Sequence, residues 1–323
     1  MPSLKEIKTR IASVQNTRKI TSAMKMVASS KLHHAQTAIQ NMLPYGEQLE
    51  HILKSFLLAM PDAQSIYDED RPVVKHVALI VFSSNSSLCG GFNSNVIRMM
   101  QQAIDDYRSQ GVDITIYPIG RKVAEKAVKL GFKPAGNFVE LADKPNASAC
   151  SAIASEIAGK YARHEFDRVE MIYHHFKSAG SQILTRKTFL PIDLSTESIG
   201  ADNDRDLSSN MVTAKAQEYL RKKGNDNSRS SHSDAQPLND DFIVEPDLKT
   251  VLSVLIPKQL NLMVYTALLD SIASEHAARM VAMQTATDNA DELLRALSLQ
   301  YNKSRQSAIT NELLDIVGGS VNN

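Results

Sequence analysis

The residue types most able to do chemistry gather in one glycine-rich stretch, residues 83–93, which follows a predicted strand. A glycine-rich turn between a strand and a helix can bind phosphate through backbone N–H groups. The letters SSNSSLCGGFN match neither GxGxxG nor GxxxxGK[ST], so the sequence favours a structural turn over a nucleotide site. Cys89 is a weak candidate nucleophile, because nothing suggests a His–carboxylate pair beside it and a buried thiol is usually inert.

The remaining candidates for chemistry are adjacent pairs of like residues. Two are histidine pairs, at 33–34 and 174–175, and two are carboxylate pairs, at 105–106 and 240–241. Neighbouring residues of a helix or strand point to different faces, so the histidine pairs are poor metal ligands. The carboxylates lie on a predicted helix surface and in a polar stretch, where solvation is the simpler interpretation. The sequence therefore predicts no catalytic residue, no metal site and no bound cofactor.

Composition sets the class of protein. The chain has 323 residues, 43% of them apolar, with 36 basic and 36 acidic residues, so its formal net charge is zero. Length favours two domains, and the zero net charge gives no global field that would attract nucleic acid. Two cysteines without a spacing pattern fit a reducing compartment. No run of about 18 apolar residues interrupts the sequence, so we expect no membrane span.

The elements that organise the chain are long helices at its two ends. Residues 258–317 contain no Gly and no Pro, which permits one helix roughly 90 Å long. Part of this run keeps a seven-residue repeat typical of a left-handed coiled coil. One heptad position carries Met280, Thr287, Leu294, Tyr301 and Ala308, and the next carries Met283, Ala290, Leu297 and Ser304. Apolar residues then spread around the axis at 309–317, which predicts a tip that needs a hydrophobic socket, and Gly318-Gly319 is predicted to end the helix.

The N-terminal helix supplies a partner of the same kind. Ser3 and Glu6 form a predicted capping box, and no Gly or Pro follows before Pro44. Its heptad seam begins at residues 4, 7, 11 and 14 and resumes at 28, 32, 35, 39 and 42. Between these two parts the register falls on Arg18, Thr21 and Lys25, while the apolar Ile20, Met24 and Val27 sit one position away. We therefore expect an antiparallel coiled coil of the two chain ends.

The interrupted stretch is also basic. Up to residue 31 the helix carries seven Lys or Arg residues against the single acid Glu6. The sequence leaves two interpretations open, a solvated face or a collar that faces acidic loops of a partner. DNA binding is less favoured, because no aromatic interleaving or known motif accompanies the charge.

Between the helices, strand and helix patterns alternate. Strands are predicted at 73–82, 112–119, 168–176 and 181–190, and helices at 95–110, 121–130 and 146–161. This order predicts a small α/β domain whose mostly parallel sheet ends in an antiparallel hairpin. Asp247 is a predicted cap for the C-terminal helix region, which Pro257 kinks or splits.

One segment does not follow this alternation of strand and helix patterns. Residues 195–241 are rich in Ser, Asp and Asn and poor in aliphatic residues, apart from one short helical piece at 214–223. Such a segment buries too little apolar area to offset its ordering entropy, so we expect disorder or a loosely held surface excursion. The predicted division is therefore a coiled-coil helix at 1–60, the α/β domain at 61–194, the polar insertion at 195–241, and the coiled-coil helix with its apolar tip at 242–323.

Four separated motifs resemble one known family in order along nearly the whole chain. They are ITSAMKMVA followed by KL from residue 20, LCGGFN from residue 88, SEHAARMVAM and YNKSRQ from residues 274 and 301, and ITNELLDIVGG from residue 309. Together they resemble the gamma subunit of F-type ATP synthases. Two departures stand out: Ser320 replaces the usual Ala, and Asn85-Ser86-Ser87 replaces the usual Asp-Arg-Gly. The insertion has no Cys, so it cannot carry the disulfide switch of chloroplast members.

The resemblance implies a rotor shaft without catalytic residues of its own. In that family the antiparallel coiled coil threads a ring of alpha and beta subunits, and the apolar tip turns in a sleeve. The α/β domain and the foot of the coil sit on the membrane c-ring beside the epsilon subunit. Rotation drives the catalytic beta sites through different affinities and couples proton flow to ATP synthesis. The implied location is peripheral, on the cytoplasmic face of a bacterial plasma membrane.

Seven partner-contact residues also follow from the resemblance. Met24 and Lys25 would face the acidic lever segment of beta, with Arg279 near Met24. The catch loops of the ring would contact Arg305, Gln306, Thr310 and Glu312. Two other classes remain open from the residues alone: an unrelated coiled-coil scaffold, which would not explain the four motifs, and an enzyme, which would need a site that the sequence does not offer.

Overall fold

The computed structural model describes residues 3–59, 65–67, 69, 71–192, 245 and 247–321. It divides into two compact units. One, the coil unit, comprises residues 1–30 and 279–323; the other, the α/β unit, comprises residues 31–278. The two long terminal helices each contribute residues to both units.

The N-terminal helix α1 runs from Leu4 to Ala59. It starts at the predicted capping box: the Ser3 backbone N–H donates to Glu6 Oε2 at 2.9 Å, and the Glu6 backbone N–H donates to Ser3 Oγ at 3.3 Å. These reciprocal bonds satisfy two backbone donors that the first helical turn leaves unpaired. Pro44 lies inside the helix and does not end it.

The C-terminal helix α6 runs from Leu248 to Val321. Asp247 caps it as predicted, since its Oδ1 accepts the Thr250 backbone N–H at 2.7 Å. Pro257 lies inside the helix, so it does not split α6. The predicted stop at Gly318-Gly319 is wrong, because the helix passes through both residues. Glycine lowers helix propensity by only about 1 kcal/mol per residue, which disfavours a helical conformation without forbidding it.

The middle of the chain forms a four-stranded sheet in the order β2-β1-β3-β4. The strands are β1 (His76–Phe82), β2 (Asp113–Ile119), β3 (Arg168–Ser178) and β4 (Ser181–Leu190). The central strand β1 pairs in parallel with both β2 and β3, and β4 closes an antiparallel hairpin with β3. This confirms the predicted α/β architecture with a mostly parallel sheet. Six of the seven β1 residues are buried, as expected for an apolar strand covered on both faces.

Four shorter helices accompany the strands in the described part of the chain: α2 (Phe92–Ser109), α3 (Arg121–Lys129), α4 (Val139–Asp143) and α5 (Ala147–Ala162). The main core cluster packs alternate residues of β1 against the apolar faces of α2 and α3, among them Val77, Leu79, Val81, Met100, Ile104 and Val123. Alternation along the strand places these β1 side chains on one face of the sheet.

Three local predictions differ from the structure. The first strand begins at His76 and not at residue 73, where Val73 is 64% exposed. The Lys75 and His76 backbone N–H groups instead donate to Asp167 Oδ2, which anchors the entry to the strand. Helix α2 starts three residues earlier than predicted. The five-residue α4 was not predicted, because one helical turn is too short to show a hydrophobic period.

Helix α6 also contains an 18-residue window with mean hydropathy 1.4, long and apolar enough on those criteria to cross a bilayer. The sequence had been expected to contain no such stretch. Core helices of folded domains have the same composition, and α6 buries Leu260, Val264 and Leu268 within the α/β unit. Packing of these residues accounts for part of the apolar composition of α6.

The predicted polar insertion at 195–241, with its helical piece at 214–223, lies outside the described residues. The predicted division of the chain into four segments therefore stays a prediction.

Candidate partner-contact surface on the coil unit

Two contacts fix the direction and register of the helices in the coil unit. Thr21 Oγ1 lies 2.8 Å from Thr287 Oγ1, and Arg18 Nε lies 2.5 Å from Asp291 Oδ1. From the first contact to the second, the residue number falls by three on α1 and rises by four on α6. The helices run antiparallel, as the heptad patterns predict.

Burial follows the predicted seam. On α6, Met283, Ala290 and Leu297 are buried, and the other heptad positions named for this helix are half-buried. On α1, Ile7 and Ala28 are buried, and Leu4, Ile11 and Val14 are half-buried. Small residues at this seam allow the helices to approach closely but bury little apolar area. The coil is therefore closed along one face without a large core of its own.

Within the interrupted part of the heptad repeat, the polar side chain of Thr21 faces into the coil. Thr21 is only 9% exposed, so its hydroxyl needs a partner. The two hydroxyls have two protons to donate and four acceptor oxygens within reach, namely the two hydroxyl oxygens themselves and the carbonyl oxygens of Arg18 and Met283. The shortest arrangement has Thr21 donating to Thr287 Oγ1, and Thr287 donating to the Met283 carbonyl at 2.8 Å. This chain of bonds crosses from one helix to the other.

This geometry corrects part of the sequence interpretation. The sequence places Arg18, Thr21 and Lys25 at an interruption of the apolar seam, where they have no predicted partner on α6. In the structure Arg18 pairs with Asp291 and Thr21 bonds to Thr287, so these two belong to the seam. Within the described part of the chain, Lys19 and Lys25 make no ion pair, Lys19 being exposed and Lys25 half-buried. Arg18 thus leaves the candidate collar, and Lys19 and Lys25 remain in it beside the interrupted heptad.

Large apolar side chains remain exposed around the sealed seam. On α1 these are Ile20, Met26 and Val27, at 60%, 65% and 56% exposure. On α6 the exposed residues include Leu299, Leu313 and Leu314. A pair of helices has a single interface, so apolar residues on the outer faces have no further helix in the coil unit to pack against. Exposed apolar surface of this kind marks an interaction site.

The seven predicted contact residues fall into two groups. Met24, Lys25 and Arg279 are half-buried, whereas Arg305, Gln306, Thr310 and Glu312 are exposed. Thr310 also bonds back to its own helix, with its hydroxyl donating to the Gln306 carbonyl at 2.9 Å. The four exposed residues present polar groups on the surface of α6, and the contacts of all seven residues with partner chains stay a prediction.

Sequence reasoning missed the partners of the interrupted heptad, Thr287 and Asp291. A signal was present: Thr287 occupies the seam of α6 as Thr21 occupies that of α1. Matching polar residues at the same heptad position on two antiparallel helices indicates a polar layer. Asp291 lies next to the seam residue Ala290, where an acid can meet Arg18 across the pair.

The glycine-rich stretch of the α/β unit supports the structural-turn interpretation. Asn93 Oδ1 accepts the backbone N–H of Ser84 at 3.1 Å, and Asn93 Nδ2 donates to Ser84 Oγ at 2.8 Å. The hydroxyl of Ser84 donates to the Ser86 carbonyl at 2.6 Å. The polar groups of the turn thus bond to one another. Cys89 is buried among them.

Asn85, one of the departures from the resembling motif, has a defined structural role. Its Oδ1 accepts the Arg121 backbone N–H at 2.9 Å, at the start of α3. Its Nδ2 donates to the Val139 carbonyl and to Asp143 Oδ2, both at 2.7 Å. An amide both accepts and donates, so Asn85 ties α3 to α4 in a way that a carboxylate beside Asp143 could not.

The second cysteine gives no reactive thiol. Cys150 lies fully buried in α5, and burial raises the pKa of its thiol to about 11. Because the thiolate is the reactive form, Cys150 is unreactive near neutral pH.

A long antiparallel helix pair with apolar side chains exposed on its outer surface, joined in sequence to a small α/β sheet, defines a coiled-coil subunit that offers surface to other chains. The ATP synthase family model matches residues 3–321. The chain belongs to this family as a gamma chain, a central-stalk subunit that is distinct from the catalytic subunit.

Relatives cover the full length. ATP synthase gamma chains of Phocaeicola vulgatus and of Bacteroides fragilis are each 51% identical over 322 residues, 99% of this chain and 100% of theirs. The gamma chain of Christiangramia forsetii is 38% identical over 99% of this chain and 98% of its own.

Solved structures agree in fold. A chain from the mitochondrial ATP synthase of Euglena gracilis, in its OSCP/F1/c-ring assembly, aligns with a TM-score of 0.58 at 17% identity, covering 98% of this chain and 93% of that one. A chain from the central stalk and c-ring of the Tetrahymena thermophila enzyme aligns with a TM-score of 0.52 at 23% identity, covering 83% of this chain and 99% of that one.

Proposed function

We propose that this gamma chain turns as a shaft inside a ring of alpha and beta subunits and passes proton-driven rotation to the catalytic beta sites. The supporting observation is the coil unit itself. Its seam is closed by Ile7, Ala28 and Leu297 and by the Thr21–Thr287 bond, while Ile20, Val27 and Leu314 stay exposed. A helix pair with a closed seam and apolar side chains exposed on its outer surface fits a sleeve of other chains.

The contact residues of this shaft are those the family motifs indicate. Met24 and Lys25 face the acidic lever segment of beta, near Arg279. The exposed side chains further along α6 meet the catch loops of the ring: Arg305, Gln306, Thr310 and Glu312. The α/β unit sits on the c-ring beside epsilon. In the bacterial cell this places the chain peripherally on the cytoplasmic face of the plasma membrane.

Lys19 and Lys25 are the residues that best test torque transmission, because they have no acid partner among the described residues. Opposite charges about 4 Å apart at an effective dielectric near 20 interact by roughly 4 kcal/mol as an upper scale, which screening reduces. Reversing both lysines turns attraction by an acidic loop into repulsion. We expect Lys19→Glu/Lys25→Glu to leave assembly normal, to alter ATP hydrolysis, and to lower the protons pumped per ATP in membrane vesicles.

The matched control is Lys126→Glu/Lys129→Glu on α3, which combines one half-buried and one exposed lysine in the α/β unit. The control is expected to assemble and to pump protons as the wild type does. If the collar variant also hydrolyses ATP and pumps at the wild-type level, Lys19 and Lys25 are only solvated. If the collar variant fails to assemble while the control assembles, the lysines are structural and the torque assignment fails.

A further inference from the structure

Within the α/β unit, helix α6 and strand β3 are joined by polar contacts deep in an apolar interface. His175 Nδ1 lies 2.9 Å from Asp270 Oδ2, and the Ser274 hydroxyl donates to the His174 carbonyl at 3.3 Å. An imidazole nitrogen and a carboxylate oxygen at this distance are joined by one hydrogen bond. The two contacts link consecutive residues of β3 to residues one helical turn apart on α6. We call these two contacts the β3–α6 joint.

The joint is removed from solvent. The side chains of His175 and Asp270 are 4% and 1% exposed, and Ser274 is fully buried. The same stretch of α6 buries small and aliphatic residues, namely Leu268, Leu269, Ala273 and Ala277. A polar group in such surroundings costs free energy unless it is bonded with good geometry.

A buried pair of polar side chains is a poor means of gaining stability. Replacing such a pair by well-packed apolar residues is often neutral or stabilising, because the polar groups no longer have to be desolvated. Apolar contacts, however, are non-directional and resist separation more than sliding. Hydrogen bonds depend on distance and angle, so two bonds between a helix and a strand fix both the rotation of the helix about its axis and its position along that axis.

The neighbouring His174 does not compete for the carboxylate. Its ring stacks on Phe92 with centroids 4.4 Å apart. Burial lowers the pKa of His174 to about 4, so this imidazole is neutral near pH 7. Only its backbone carbonyl takes part in the joint.

We infer that the β3–α6 joint positions α6 on the sheet so that the helix and the α/β unit turn together, with Asp270 and His175 as positioning residues for torque transfer. The inference rests on the rotor function proposed above. It predicts that loss of the joint uncouples proton pumping from ATP hydrolysis by more than it destabilises the fold.

The test compares two replacements of the buried pair in the reconstituted complex. His175→Leu/Asp270→Leu removes the directional bond and keeps apolar packing, whereas His175→Gln/Asp270→Asn keeps a neutral hydrogen-bonding pair. We expect the apolar pair to unfold within a few degrees of the wild type but to pump several-fold fewer protons per ATP. The amide pair is expected to keep most of the coupling.

The exposed pair His76–Asp113 provides a matched control in the same unit, since its side chains lie 3.6 Å apart at 48% and 85% exposure. His76→Gln/Asp113→Asn is expected to change neither thermal unfolding nor pumping. A wild-type complex that does not couple hydrolysis to pumping would refute the proposed rotor function itself. If the wild type is coupled, two results would refute the positioning role of the joint. One is that the protons pumped per ATP in the two joint variants are unchanged or simply follow their thermal stability. The other is that the variant with the apolar pair fails to assemble while the variant with the amide pair assembles.

Discussion

The two units of this chain solve the problem of burying apolar surface in opposite ways. The α/β unit covers its sheet with helices, so β1 is buried along almost its whole length. The coil unit has two helices and one seam, and it leaves Met26 and Leu299 exposed at 65% and 72%. A layered domain completes its own core, whereas a lone helix pair can bury only one stripe per helix. The coil unit is therefore the part of the molecule that depends on other chains.

The largest expected loss of stability comes from adding a single methyl group to the α/β unit, at Gly120. Gly120 has φ +103°, and a Cβ there would lie 2.1 Å from the Ser83 carbonyl oxygen. We expect Gly120→Ala to cost about 3 kcal/mol or more, because backbone strain adds to a clash with rigid main chain. Thermal unfolding of the purified chain measures the loss.

Gly111 is the control for this prediction. Its φ is +72°, but an added Cβ would meet no atom within 4 Å. Gly111→Ala should cost only the strain of a left-handed residue, about 1 kcal/mol. Equal losses at the two glycines would show that the contact with Ser83 is easily relieved, and that the α/β unit is less tightly packed than its burial indicates.

Mild acid should change the folding stability of the two units to different extents, because all nine histidines lie within residues 31–278. Burial lowers the pKa of His174 to about 4, below the ordinary value of 6.5. Between these values the unfolded chain binds a proton that the folded chain does not, so the stabilisation is present above pH 6.5 and is lost as the pH falls toward 4. The loss from this residue is about 3 kcal/mol.

Denaturant unfolding at pH values from 7 to 4 measures this slope. His174→Phe, which keeps an aromatic ring against Phe92, should flatten it. The surface substitution Val128→Gln, which involves no titrating group, should leave the slope unchanged. An unchanged slope in His174→Phe would assign the acid sensitivity to other groups.

The sequence predicted the α/β unit better than the coil unit for a physical reason. Strands β1 and β2 show continuous or alternating apolar runs, and turns after them contain glycine, so the local pattern already fixes each element. The seam around Thr21 depends instead on residues 266 positions away. No local pattern reports which residue of α6 faces a given residue of α1. The polar partners Thr287 and Asp291 were missed for that reason.

Self-association of the isolated chain should come from the coil unit. The outer apolar residues Leu299, Leu313 and Leu314 have no cover within that unit. We expect the purified chain to associate, and the triple substitution to Gln to shift it toward a monomer in size-exclusion chromatography with light scattering. Val128→Gln, which removes an equally exposed apolar residue from the α/β unit, is the control. A wild-type chain that runs as a clean monomer would contradict the proposed dependence on partners.

The threonine pair tests whether the coil seam gains stability from its polar layer. Thr21→Val leaves the Thr287 hydroxyl facing an apolar group, at a cost of about 1 kcal/mol. The double variant Thr21→Val/Thr287→Val makes both positions apolar, so we expect it to cost less than the single change. A double-mutant cycle from chemical unfolding gives the interaction energy. Strictly additive losses would show that the 2.8 Å contact contributes nothing as a pair.

The smallest expected effect belongs to Arg18 and Asp291. Their side chains are 48% and 38% exposed, and exposed ion pairs contribute about 0.2–1 kcal/mol. Arg18→Gln/Asp291→Asn should therefore shift unfolding only slightly, and less at high salt than at low salt. A loss above this range that does not respond to salt would mean that Arg18 stabilises the coil by packing.

The 266-residue separation between Thr21 and Thr287 also sets an order of events during translation. The ribosome releases α1 first, with its seam residues Ile7 and Ala28 bare, and their partners on α6 are made last. All four strands of the sheet lie between residues 76 and 190, so the sheet can form while α6 is still being synthesised. The nascent chain thus carries an unsatisfied amphipathic helix for most of its synthesis, which makes α1 the segment for which protection by a chaperone matters most.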